Sequence, residues 1–248
     1  MTRASSRSRS GWVLQLHGDP FDLRFWVECF PERPLHIFER EGVYYCEADA
    51  LDKLPDVKSV STRGKALLQI ASAVLRLWRS DITPIKPLFV MERYTDGSWG
   101  EPQGFAEISG HGWAASVNHV HGYEQSPAEL FLELADRDER VGSALDDFAS
   151  SSLDMPCLRR IAETIWTEFD PRNQDKAVEK MVAGRLAEEE PLRRFLQTVN
   201  RGAKAAHSAF RYQPYSDSMG LADAQEFLAR LLERWLRSKL LRAEGSTT

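Results

Sequence analysis

The chain reads as an α+β protein: a mostly antiparallel sheet packed on one helix, followed by an all-α antiparallel bundle. Two patterns carry that division. Through about residue 125, short apolar runs alternate with polar residues and are broken by glycine, proline and Asp-Gly pairs, as in strands and hairpins. From residue 126 onward apolar residues recur at three-and-four spacing between capping residues, as in packed helices. A length of 248 residues is enough for one large domain or two small ones that fold without cross-links.

In the first part, residues 12–16, 23–27, 35–40 and 43–48 are rich in aromatic and β-branched side chains and are expected as strands. Glu41-Gly42 has the length of a tight hairpin loop between the last two. Asp19 and Asp22, around Pro20, are expected to make a turn. Ser61 or Thr62 then caps an expected helix, in which Leu67, Ile70, Ala71, Val74, Leu75 and Trp78 form one buried face. A second hairpin spans 88–95 and turns at Asp96-Gly97. A later strand is expected at 105–108, separated from it by Pro102. The α+β domain so defined covers residues 11–125.

The helical domain is expected to span 126–241. Ser126-Pro127-Ala128-Glu129 is a capping box with proline at the first helical position. One helix from there presents Leu130, Leu134, Val141, Leu145 and Phe148, and the serines at 150–152 end it. A second stripe runs through Leu158, Ile161, Ala162, Ile165, Trp166 and Phe169 to Asp170-Pro171. A third helix over 176–189 buries Val178, Met181, Val182 and Leu186. Pro191 restarts the chain for Leu192, Phe195, Leu196 and Val199. In the last helix Gly220 is the N-cap and Asp223 sits at N3, with Leu221, Ala224, Leu228, Leu231, Leu232 and Trp235 inward. Short connections favour an antiparallel bundle.

The net charge of −5 argues against a general nucleic-acid coat protein. Residues 151–248, however, hold 16 basic and 14 acidic side chains, so a locally basic site fits the second part. Cys29, Cys46 and Cys157 are odd in number and lack any C-x-x-C pairing, which points to neither a disulfide framework nor a zinc site, and to a cytoplasmic compartment. Residues 1–10 and 242–248 read as disordered tails, and no apolar run approaches the roughly 20 residues that span a bilayer. His111, His119 and His121, with Tyr123 and Glu124 nearby, lack a further ligand at diagnostic spacing. No metal and no cofactor is expected.

One short segment concentrates polar chemistry: Asn200-Arg201-Gly202-Ala203-Lys204-Ala205-Ala206-His207, at the edge of a strongly helical region. An imidazole titrating near neutrality beside guanidinium and ammonium groups suits general-base chemistry on a phosphodiester. Positions six apart on one helix are rotated by about 240°. Arg201 and His207 therefore converge only if the segment bends or the helix restarts near Gly202. Arg211, Tyr212 and Tyr215 form a basic, aromatic loop able to stack on bases. The bland alternative is a packing His207, a solvated Arg201 and an Asn200 that ends its helix.

About residues 140–240 resemble a HEPN-type helical domain, the fold of many prokaryotic toxin and phage-defence ribonucleases. The echoes are Ala144-Leu145, Leu158 through Glu163-Thr164-Ile165, Arg194-Phe195 to Thr198 and Asn200, Ala206-His207-Ser208, and Met219-Gly220-Leu221 through Ala224 to Trp235-Leu236 and Lys239. The family hallmark is an arginine followed, after four to six intervening residues, by a histidine, and Arg201 and His207 have five between them. The resemblance implies a metal-independent endoribonuclease with His207 as base, Arg201 and Lys204 as phosphate clamp and Asn200 orienting, working as a homodimer on RNA. More narrowly, the chain resembles uncharacterised bacterial proteins that carry such a bundle behind an α+β domain; in that group an arginine commonly precedes the histidine directly, and here that place is Ala206. That departure favours the alternative: a non-catalytic bundle that dimerises or binds a protein partner, such as an antitoxin or a subunit of a defence complex.

Overall fold

The structure, a computed structural model, describes residues 8–104, 126–150, 153–204 and 218–245, with 201–204 and 243–245 described by their backbone. The chain forms two compact units, residues 1–75 with 79–137 and residues 76–78 with 138–248. The fold is α+β, with an antiparallel five-stranded sheet ahead of a helical region.

The first unit contains β1 (Arg9–His17), α1 (Pro20–Cys29), β2 (Leu35–Arg40), β3 (Val43–Ala48), α2 (Asp49–Asp52), nearly all of α3 (Val57–Arg76), β4 (Lys86–Tyr94), β5 (Gln103–Gly104) and α4 (Pro127–Arg137). The strand order is β2-β3-β1-β4-β5, antiparallel throughout. Paired residues share a face, so Leu14 opposite both Cys46 and Val90, with Cys46 opposite Ile37, defines one buried side. α3 packs on it so closely that a Cβ on Gly64 would lie 2.7 Å from Leu14 Cδ1. Between β2 and β3, Glu41 and Gly42 both take positive φ, 56° and 77°, as the expected two-residue hairpin requires. At the other expected turn, Gly97 has φ 78° and Asp96 Oδ1 accepts from the Ser98 N–H at 2.9 Å.

Two expectations for this unit are corrected. Residues 23–27 are not a strand but the middle of α1, because Asp19 Oδ1 accepts from the Phe21 and Asp22 N–H groups and Pro20 occupies the first turn. Leu23 and Trp26, three apart, face the core. α3 begins before Ser61, since Asp56 supplies the cap by accepting from Ser59 N–H at 2.8 Å, and it ends before Trp78. Ser61 lies buried inside the helix. The expected strand at 105–108 lies outside the described residues.

The second unit contains α5 (Glu139–Ala149), α6 (Met155–Phe169), α7 (Gln174–Ala183), α8 (Glu189–Lys204) and α9 (Leu221–Gly245). The capping box ahead of α4 is fully formed: Ser126 N–H donates to Glu129 Oε2 at 2.8 Å, and Glu129 N–H to Ser126 Oγ at 3.2 Å. The single helix expected over 130–148 is nevertheless two. Asp138 accepts from the Arg140 and Val141 N–H groups and starts α5, and the two compact units divide there rather than at 126. α4 buries Ala128, Phe131, Leu132 and Ala135, so its inward stripe is shifted from the expected Leu130 and Leu134. α6 packs against α5, α7, α8 and α9. α7 stops at Gly184, short of 189, although Leu186 is buried just beyond it. Leu221, expected inward, is 45% exposed. Among the described residues no helix is long and apolar enough to cross a membrane.

Candidate functional site

α8 carries the first part of the predicted site. Its first turn holds Glu189 and Glu190, which favour the positive end of the helix dipole. Leu192, Phe195, Leu196 and Val199 form its buried stripe. Phe195 packs on Phe227 of α9 with ring centroids 5.0 Å apart. Thr198 Oγ1 donates to the Arg194 carbonyl at 2.8 Å and accepts from the Met219 N–H at 3.2 Å. The residues leading into α9 are thereby fastened to α8 just ahead of Asn200.

Asn200 is half-buried, and α8 then continues through Arg201, Gly202 and Ala203 to Lys204. At about 100° per residue, positions 200 and 204 lie about 40° apart and positions 201 and 204 about 60° apart. The three share one side of the helix. The helix does not restart at Gly202, one of the two ways in which Arg201 and His207 could converge: it passes through this glycine unbroken, at a propensity cost of about 1 kcal/mol relative to alanine. His207, Arg211, Tyr212 and Tyr215 lie outside the described residues, as do His111, His119, His121, Tyr123 and Glu124.

Glu163 lies at the margin of the bundle and takes its cation from its own helix. Its Oε1 accepts from Arg159 Nε at 3.1 Å and Nη2 at 3.0 Å, one turn away. A more enclosed network lies elsewhere in this unit. Lys239 Nζ stands 2.7 Å from Asp138 Oδ2 and 2.6 Å from Glu168 Oε2, and it lies over the Trp235 ring at 4.9 Å. The Trp235 indole N–H donates to Glu168 at 3.1 Å, and Arg242 reaches the same carboxylate at 3.3 Å. These groups tie the start of α5, the end of α6 and α9 together. Only the four-residue spacing of Trp235 and Lys239 on the inward side of α9 hinted at this in the sequence.

Burial and Glu28 push the Cys29 thiol up to about 11, and burial raises Cys46 and Cys157 as well, so all three free thiols stay protonated at neutral pH. Asp19 and Asp22 do not make a turn but belong to the start of α1. Asp22 is buried and accepts from Arg79 at 3.0 Å, from Thr83 N–H at 2.9 Å and from Thr83 Oγ1 at 2.5 Å. Among the described residues no group of three or more His, Cys, Asp or Glu side chains is arranged to hold a metal ion. No family model, no curated protein and no solved structure matches this chain.

Proposed function

We propose that the chain is a HEPN-like protein of prokaryotic toxin or defence type, a cytoplasmic, metal-independent endoribonuclease acting on RNA as a homodimer. The observation that carries this reading is the placement of Asn200, Arg201 and Lys204 on one side of the last turn of α8, three residues ahead of His207. In the proposed reaction the His207 imidazole takes the proton of a ribose 2′-hydroxyl. The 2′-oxygen bonds to phosphorus and the 5′-oxygen leaves with a proton from water, giving a 2′,3′-cyclic phosphate. Lys204 and Arg201 stabilise the charge that develops on the phosphoryl oxygens, and Asn200 orients a reacting group. Arg211, Tyr212 and Tyr215 hold neighbouring nucleotides by charge and stacking.

Incubation of the full chain with total RNA, beside His207→Ala, tests this. The wild type is expected to leave 2′,3′-cyclic ends and the variant none, with Lys204→Gln about 100-fold slower. Equal decay in wild type and His207→Ala, or none in either, removes His207 from catalysis. A second reading is favoured by Ala206 and by the unbroken passage of α8 through Gly202. In it, a degenerate bundle dimerises or binds a protein partner, such as an antitoxin or defence subunit, without chemistry. A stable dimer with no RNA decay supports that second reading.

A further inference from the structure

The sheet has two unlike faces. One is the apolar side against α3. On the other, Phe38 of β2 lies opposite Tyr45 of β3, with ring centroids 5.8 Å apart. Trp99, bridged to Arg93 of β4, stands 4.7 Å from Tyr45 and 6.2 Å from Phe38. His36 stacks on Phe38 at 4.7 Å with 25° between the ring planes. All four rings are half-buried, so each keeps part of its surface toward solvent. Burial holds the His36 imidazole below its usual range, despite the nearby Glu47 carboxylate, and so favours its neutral form.

Three arginines border this cluster, and two are neutralised. Arg33 binds Asp49, Asp52 and Glu47, while Arg93 reaches Glu47 at 3.2 Å and Asp52 at 3.1 Å. The third, Arg40, is exposed, lies over the Trp99 ring at 4.9 Å and has no carboxylate partner among the described residues. Aromatic rings beside one cation that pairs with no carboxylate among the described residues complement a ligand that combines planar rings with negative charge. Single-stranded nucleic acid has both, whereas a duplex hides its base faces in the stack. We infer that this sheet face binds single-stranded RNA, with bases stacked on Phe38, Tyr45 and Trp99 and a phosphate on Arg40. The inference rests on the reading that the chain acts on RNA, and it gives the front unit the task of holding the strand.

The test uses full-length His207→Ala protein, which holds cleavage aside, and a fluorescein-labelled 12-mer of uridine as probe. Fluorescence anisotropy gives its Kd with and without Phe38→Ala, Trp99→Leu and Arg40→Gln. Loss of either ring is expected to weaken binding at least about fivefold. Arg40→Gln is expected to flatten the slope of log affinity against log salt by about 0.7. Circular dichroism and the melting temperature identify any variant that fails to fold, and Tyr45→Leu serves as a third ring deletion. Unchanged Kd in the folded ring variants, absence of binding, or a duplex held as tightly as the single strand overturns the inference. RNA cleavage by the wild type without ring-dependent binding defeats this inference alone. Ring-dependent binding without cleavage defeats the nuclease reading alone.

Discussion

The two units hold their charged groups by different means. In the sheet unit most of the partners are distant in sequence, as in Asp22 with Thr83, 61 residues away, Trp12 N–H with Asp52, 40 away, and Arg63 with Asp136, 73 away, while Arg137–Glu133 sits one turn apart on α4. In the helical unit several ion pairs sit one turn apart on the same helix, as in Arg159–Glu163, Arg193–Glu189, Arg230–Glu226 and Arg237–Glu233. Pairs of that kind contribute about 0.3–0.5 kcal/mol each. The long-range pairs instead specify which segments meet. In the helical unit the Lys239 network does comparable work, since Lys239 and Asp138 are 101 residues apart.

The largest effect is expected where a long-range polar contact is also part-buried. Asp22→Ala strands the Thr83 N–H and hydroxyl and removes the carboxylate that fixes the segment after α3 to α1. Asp22 is buried while Thr83 is exposed, so loss of the carboxylate from this part-buried contact costs about 2–3 kcal/mol. Urea unfolding followed by circular dichroism is expected to show a clear drop in midpoint, against almost no change for Arg230→Ala on α9. Similar shifts for the two variants would remove the contrast between the units.

The same distinction explains what was legible in the sequence. The capping box at Ser126 and Glu129 was readable because both of its halves fall within four residues, and the two-residue loop at Glu41-Gly42 was readable for the same reason. α1 was misread as a strand because Leu23, Phe25, Trp26 and Val27 favour strands by composition. The decisive signal was the local start at Asp19-Pro20. The break at Asp138 was hidden inside an apolar periodicity that continues from α4 into α5 with only a change of stripe. At the candidate site, the common side of Asn200, Arg201 and Lys204 follows from helical geometry once α8 is known to pass through Gly202. No local rule announces that glycine as helical, because its intrinsic preference is against it. The ring cluster needed the sheet register, which alone brings Phe38, Tyr45 and Trp99 together.

A second effect, of about 2 kcal/mol, is expected from Lys239→Met, which leaves Asp138 and Glu168 without their shared ammonium group. It carries a pH signature. Burial raises the Asp138 carboxyl, but hydrogen bonding and charge from Lys239, with the Val141 and Arg140 N–H groups, outweigh it and hold the group below its ordinary 3.8. A depressed folded value means stability that is complete above the unfolded value and is lost as pH falls through the folded one. Urea midpoints of wild type and Lys239→Met are therefore expected to converge as the pH falls below about 4. A gap that stays constant into acid would mean that Lys239 acts by packing on Trp235 rather than by charge.

The smallest expected effect separates two carboxylates that both serve a helix start, one in each unit. Glu129 in α4 is held above the ordinary carboxyl range, because burial and the nearby Glu133 and Glu32 charges prevail over the Ser126 hydrogen bonds. For such a raised group the contribution to stability is present below the unfolded value and is lost as pH rises through the folded one. Glu129→Gln keeps an oxygen that can accept from Ser126 N–H and removes the charge. Its stability should therefore improve relative to wild type as pH rises from 4 to 7, by less than about 1 kcal/mol. Asp138→Asn should do the reverse and lose stability relative to wild type over the acid end of that range, because its charge is the favoured form. Thermal unfolding of both variants across this range reads the two slopes directly. Slopes of the same sign would mean that Lys239 does not distinguish the two helix starts.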